Sequence, residues 1–266
     1  MRPQRLVLIV LAAMTIQSAA GLLLDPYRDI EWIALGWLGN DGVTLFLACP
    51  LLAAALTGTR LNAPRWQLAR LGLLGYALYN YAFYMLGAAL NVMFPIYIAL
   101  FVATILALIA ELPERRVSAL AASYSTSTPV RLLGGYLAVV ASGLTIAWLM
   151  MWMLHVFANR PAPGSPEVFR LVAALDLGFM VPALSIGGVL LWRRKPWGYV
   201  LGCIAGIQAA LYLFVLVVNS TFAIHSGITQ WPGELPIWIP LCAATSTCVL
   251  VLLRYVSADH NTANAV

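Results

Sequence analysis

Eight long apolar runs, parted by short connections whose basic residues fall almost entirely on alternate sides, leave this chain few ways to fold. A hydrocarbon core of about 30 Å takes roughly 20 apolar residues as an α-helix. Runs of that length lie near residues 6–24, 42–58, 71–92, 95–112, 132–156, 172–192, 197–219 and 236–253. Hydrophobic residues make up 62% of the 266 positions and charged residues 9%, against roughly 25% charged in an average soluble domain. The expected fold is all-α and polytopic, with eight transmembrane helices and no separate soluble domain.

Basic residues resist translocation and gather in cytoplasmic loops. Placing the N-terminus inside puts Arg2, Arg5, Arg60, Arg65, Arg70, Arg115, Arg116, Arg131, Arg193, Arg194, Lys195 and Arg254 on that side, twelve of the fifteen, and leaves Arg28, Arg160 and Arg170 outside. Both termini are then cytoplasmic, and topology accounts for the net charge of +5 without nucleic-acid binding, which needs a basic patch on a folded face. Ser18-Ala19-Ala20 would suit a signal-peptide cleavage site, but the first run has a counterpart in the fifth, which favours a retained anchor. Cys49, Cys203, Cys242 and Cys248 all fall inside spans and read as small packing residues.

The two halves resemble each other at corresponding places. Residues 95–104 and 236–245 share six identities in ten positions, and Pro64-Arg65-Trp66 resembles Lys195-Pro196-Trp197. Asn80, Tyr84 and Asn91 match Gln208, Tyr212 and Asn219 at a constant spacing of 128. The expected organisation is two parallel four-helix repeats, 1–116 and 117–266, about a pseudo-two-fold axis along the membrane normal. A cavity would lie at the interface between them.

Asn80 and Asn91 are eleven residues apart, roughly 20° from whole turns, and so should share a helix face with Tyr84. Gln208, Tyr212 and Asn219 draw the same stripe in the second half. Buried amides need a protein, water or ligand partner, so these residues either join helices or line a ligand chamber. Asp176 should lie about one turn below the outer surface, as a helix-end charge or a site residue. Asp41, with Asn40, reads as the N-cap of the second span. Residues 25–37 read as a helix flat on the outer surface, anchored by Trp32 and Trp37, or as a lid. The Asn159–Pro166 connection is stiff and irregular.

His155 and His225 have no fixed ligand spacing, so no metal or cofactor is assigned. Asn219-Ser220-Thr221 abuts the membrane, where no glycosylation is expected. The single lysine, Lys195, sits in an inner loop, which rules out a retinal Schiff base within the helices. There is no P-loop, no H-E-x-x-H and no G-x-S-x-G, and no two acids lie deep in the membrane, which disfavours aspartyl intramembrane proteolysis.

The stretches Leu175-Asp176-Leu177-Gly178-Phe179-Met180-Val181-Pro182, Trp192-Arg193-Arg194-Lys195-Pro196-Trp197-Gly198-Tyr199 and Tyr79-Asn80-Tyr81 resemble a family of bacterial multi-pass inner-membrane proteins with no assigned function. The resemblance implies location in the bacterial cytoplasmic membrane and transfers no activity. The residues favour binding or passage of a small solute or lipid through a polar chamber. Asn80, Tyr84, Gln208 and Tyr212 would line it, Asn91 and Asn219 form its neck, and Asp176 stand at its mouth. The partners expected are membrane lipids and a small-molecule ligand, with self-association or association with other chains left open. A non-transporting scaffold is the alternative, and an intramembrane enzyme pairing Asp176 with His155 is the third reading.

Overall fold

The computed structural model describes residues 3–60, 63–161 and 165–257. Arg2, the side chain of Arg60 and residues 162–164, at the centre of the Asn159–Pro166 connection, lie outside them. The described residues form helices α1 (Pro3–Leu24), α2 (Glu31–Val43), α3 (Cys49–Arg60), α4 (Pro64–Gly87), α5 (Phe94–Glu111), α6 (Glu114–Ala122), α7 (Val130–Ala158), α8 (Pro166–Leu175), α9 (Val181–Trp192), α10 (Pro196–His225) and α11 (Leu235–Arg254). Seven continuous helices are long and apolar enough to cross a membrane: Gln4–Leu24, Glu31–Gly58, Phe94–Glu111, Val130–Ala158, Pro166–Trp192, Pro196–His225 and Leu235–Arg254. They make this a multi-pass helical protein. The remaining expected run forms α4, which Arg65, Arg70, Asn80 and four tyrosines make too polar to belong with those seven. It packs against α3, α5 and α10 at the middle of the bundle.

Two long helices each contain a π-helical segment, Thr44–Ala48 between α2 and α3 and Asp176–Met180 between α8 and α9. The cause is the proline that follows. Pro50 and Pro182 lack an N–H and crowd the carbonyl four residues back. The ladder widens ahead of them, so Cys49 N–H reaches the Thr44 carbonyl and Val181 N–H that of Asp176, each five residues away.

These features recur at a fixed interval. Thr44 and Asp176, Pro50 and Pro182, and the helix starts Pro64 and Pro196 are each 132 positions apart. Packing between elements follows the same interval reciprocally. Gly72 abuts Ile207 and Gly75 abuts Ile204, where α4 and α10 approach too closely for a side chain on α4, while Gly39 abuts Asn219 and Gly87 abuts Leu171. This interval is one helical turn longer than the spacing of 128 drawn from side-chain matches.

Several boundaries differ from the sequence reading. Residues 31–43 are not a flat surface helix but the first half of a 28-residue span, Glu31–Gly58. Trp37 is buried rather than interfacial; its indole N–H donates to Asp29 Oδ2 at 3.0 Å, and Asp29 also accepts from the Ala89 N–H, so residue 29 ties the end of α4 to the start of α2. Asp41 is accordingly no N-cap, being ten residues inside its helix. Asp176 is likewise ten residues into Pro166–Trp192, about 15 Å along the axis rather than one turn deep. Two acids thus lie well inside spans, contrary to expectation. Arg70 belongs to α4 instead of an inner loop; it is buried and pairs with Glu111 at 2.7 Å, and Arg116 pairs with the same carboxylate.

The arginine-rich end is closed by α6 and a clasp. Tyr124 and Val256 form an isolated antiparallel bridge, Ser257 N–H donates to Ser123 O, and Arg65 Nε donates to Val256 O at 2.8 Å. Burial, then the neighbouring Cys203 thiol, pushes the Tyr124 hydroxyl well above its ordinary pKa, so it remains a neutral donor or acceptor there.

Candidate functional site

Polar chemistry inside the bundle is concentrated in two carboxylate networks and one cavity. Asp41 is fully buried. Its Oδ1 accepts from Gln17 Nε2 at 3.0 Å and from Tyr84 OH at 2.8 Å, and its Oδ2 accepts from Tyr27 OH. Gln17 in turn accepts from Tyr81 OH at 2.9 Å. The donors come from α1, from the turn ahead of α2 and from α4, so a single carboxylate joins three segments. Burial, then the Asp41 charge, drives the Tyr27 hydroxyl far above its usual pKa and keeps it a donor. Trp37, Tyr81 and Tyr97 pack around Tyr84 with ring centroids 4.9 to 5.8 Å away.

Asp176 is also buried, at 1% exposure. Its Oδ1 accepts from Tyr79 OH at 2.5 Å and its Oδ2 from Trp148 Nε1 at 2.9 Å. Tyr212 packs edge-on against Tyr79, centroids 5.2 Å apart. Glu111 has two guanidinium partners; Asp41 and Asp176 have no ion pair among the described residues. Any charge they carry is held by neutral hydrogen-bond donors alone.

A cavity of about 340 Å³ lies near the arginine-poor end, where α2 and α4 face α8 and α10. Trp32, Gly36, Trp37 and Asn40 line it from α2, Phe83 and Gly87 from α4, Val168 and Leu171 from α8, Asn219, Ser220 and Ala223 from α10, and Thr229 and Glu234 from the turn before α11. Gly36 and Gly39 form a notch on α2 that receives the Asn219 amide. The Asn219 Oδ1 is buried there with no hydrogen-bond partner. An acceptor left in that state costs about 1–3 kcal/mol.

Of the seven site residues named from sequence, Asn219 alone lines this cavity. Asn80 is buried between helices and donates to Thr44 Oγ1 at 3.4 Å, while Tyr76 OH shares a 2.8 Å bond with the same hydroxyl. Gln208 is buried against Gly75. Tyr84 belongs to the Asp41 network, and Tyr212 and Asp176 to the other. Asn91 is not on the Asn80 helix at all. It lies past the end of α4, where its Oδ1 accepts from Met93 N–H and its amide donates to Ala89 O, shaping the turn into α5. His155 is exposed and bonds Arg160 O through Nδ1, so the structure does not bring it to Asp176. Among the described residues no three His, Cys, Asp or Glu side chains gather to hold a metal.

Gln17, Tyr27 and Trp148 carry no signal in the sequence, and Tyr79 stands out only beside Asn80, because their partners are remote in the chain; each is an ordinary residue of an apolar or aromatic run. Asn40 and Glu234 were visible as polar residues near span ends, without any sign of a shared cavity. No family model matches this chain, and no curated protein or solved structure matches it.

Proposed function

We propose that this protein is an eight-span protein of the bacterial cytoplasmic membrane, with both termini cytoplasmic, that binds or passes a small solute or lipid at the seam between two parallel four-helix halves. The cavity between α2, α4, α8 and α10 carries the reading. Its volume lies at the small end of ligand pockets, about 300–1,000 Å³. The 132-residue recurrence of π segments, helix starts and reciprocal contacts supports the two-half organisation, with α4 as the third span. In this arrangement the cavity opens outward, Asn219 is its amide, and Asn80, Gln208, Tyr84, Tyr212 and Asp176 position the helices around it.

Native mass spectrometry of the chain released gently from its own membranes tests the reading, beside Ser220→Trp, which places an indole in the cavity. The expected result is a small molecule or lipid retained by the parent chain and lost from the folded variant. Identical unliganded spectra for both, or a stoichiometric protein subunit in place of a ligand, would overturn it in favour of a scaffold.

A further inference from the structure

The lining of the cavity specifies the ligand's chemistry. Glu234 is the one residue with a formal charge among those that line it; no arginine or lysine does. The exposed Glu234 carboxylate accepts from the Trp238 indole N–H at 2.9 Å through Oε2, and it forms no ion pair among the described residues. Arg170 lies nearby on α8, but it is exposed and does not line the cavity.

Trp32, Trp37 and Phe83 supply the aromatic wall. The Trp37 N–H is spent on Asp29, and its buried ring packs on Phe83 and Tyr84 with centroids 4.7 and 4.9 Å away, so Trp37 backs the wall and leaves Trp32 and Phe83 as its cation-facing rings. One carboxylate and an aromatic wall suit a compact cation: a ring quadrupole attracts ammonium groups, and an anion would meet Glu234 uncompensated.

We propose that the cavity selects an organic ammonium group, either of a free amine or quaternary amine or of a lipid headgroup. This rests on the ligand-binding reading above and names its substrate class. Glu234 would form the ion pair at the rim, and Trp32 and Phe83 the cation-binding wall, backed by Trp37.

The test compares choline with its uncharged isostere 3,3-dimethylbutanol, bound to the full chain in nanodiscs of phosphatidylglycerol, which has no ammonium headgroup. Choline is expected to bind about tenfold more tightly. Glu234→Gln, a change at an exposed side chain, should cut that preference several-fold and leave the part due to the aromatic wall, and Ser220→Trp should abolish binding of both. Displacement of choline on changing the lipid to phosphatidylcholine assigns the site to headgroups, and no displacement assigns it to a free amine. Equal binding of the isostere by the parent chain, or a neutral or anionic native ligand, would overturn the ammonium assignment while leaving the cavity a binding site, and a choline preference undiminished by Glu234→Gln would overturn the Glu234 ion pair. Absence of any ligand or probe that Ser220→Trp removes would sink the binding function itself.

Discussion

Asp41 and Asp176 each lie ten residues into a long helix, Asp41 three residues ahead of one π segment and Asp176 at the first position of the other, and their surroundings differ. Asp41 has three donors from three segments, and α1 packs along α5 to close that side of the bundle. Asp176 has two donors, and the counterpart helices α7 and α11 barely meet, though Tyr136 OH and Thr245 Oγ1 bond at 2.6 Å. Both networks draw on α4, through Tyr84 for Asp41 and Tyr79 for Asp176. The difference teaches that one central polar helix can serve a sealed, structural carboxylate on one face and a more loosely framed one on the other. The polarity that keeps α4 from ranking with the seven apolar spans is the cost of serving both.

Removing the carboxylates tests this most severely. Asp41→Leu orphans the buried Gln17 and Tyr27 donors and leaves Tyr84 OH only its 3.2 Å bond to the Trp37 carbonyl. At about 1–3 kcal/mol for each buried unpaired group, the loss is on the order of 2–6 kcal/mol, enough at its upper end to prevent recovery of folded protein after detergent extraction. Asp176→Leu orphans one fully buried donor, Tyr79, beside the half-buried Trp148 indole, and should cost about 1–3 kcal/mol, leaving a protein that folds but melts earlier. Thermal unfolding followed by cysteine exposure suits both, since Cys49, Cys203 and Cys248 are buried. An Asp176→Leu variant as damaged as Asp41→Leu would break the contrast.

A pair of alanines probes the same difference more gently. A methyl at Gly21 would land on the Asp41 carboxylate and the Tyr27 hydroxyl, whereas a methyl at Gly178, inside the second π segment, meets nothing within 4 Å. Gly21→Ala should cost about 1–3 kcal/mol by overpacking. Gly178→Ala should be neutral or stabilising by up to about 1 kcal/mol, because glycine in a helix is the poorer residue. Equal melting of the two variants would show that Asp41 is not tightly sealed.

Helix content and the multi-pass architecture were legible because hydrocarbon thickness sets a minimum run length, and seven of eight runs became apolar spans. What failed was local polarity read as a boundary. Asp25-Pro26 and Asp29 resemble a surface turn, and Asp41 after Asn40 resembles a cap, so the second span seemed to begin near residue 42. The structure starts it at Glu31 because Asp29, Gln17, Tyr27 and Tyr84 neutralise those polar groups from positions far away in sequence. Side-chain matches at a spacing of 128 were legible, and the structural recurrence at 132 was not, because Gly72 with Ile207 and Gly75 with Ile204 exchange partners, which no position-by-position identity records. The lining of the cavity was not legible either, since Trp32, Asn40, Phe83 and Glu234 converge only after α2 and α4 pack against α10 and α8.

The mildest test concerns α7, whose packing on α11 is sparse. Tyr136→Phe removes a hydroxyl that joins the two helices, but Thr245 keeps its own bond to Leu241 O at 2.8 Å, so no buried donor is left unpaired. The expected cost is under about 1 kcal/mol, in line with interhelical side-chain bonds in membranes. Because α7 also packs along α9, with Gly134 and Gly188 in close backbone approach, global unfolding should scarcely move. Amide hydrogen exchange should instead quicken at the Tyr136 end of Val130–Ala158 while α1, held along α5, stays unchanged. A drop in stability as large as that of Gly21→Ala would show that α7 depends on this one bond. The second half would then be closed as firmly as the first, and the difference between the two carboxylates would have to lie in their donors alone.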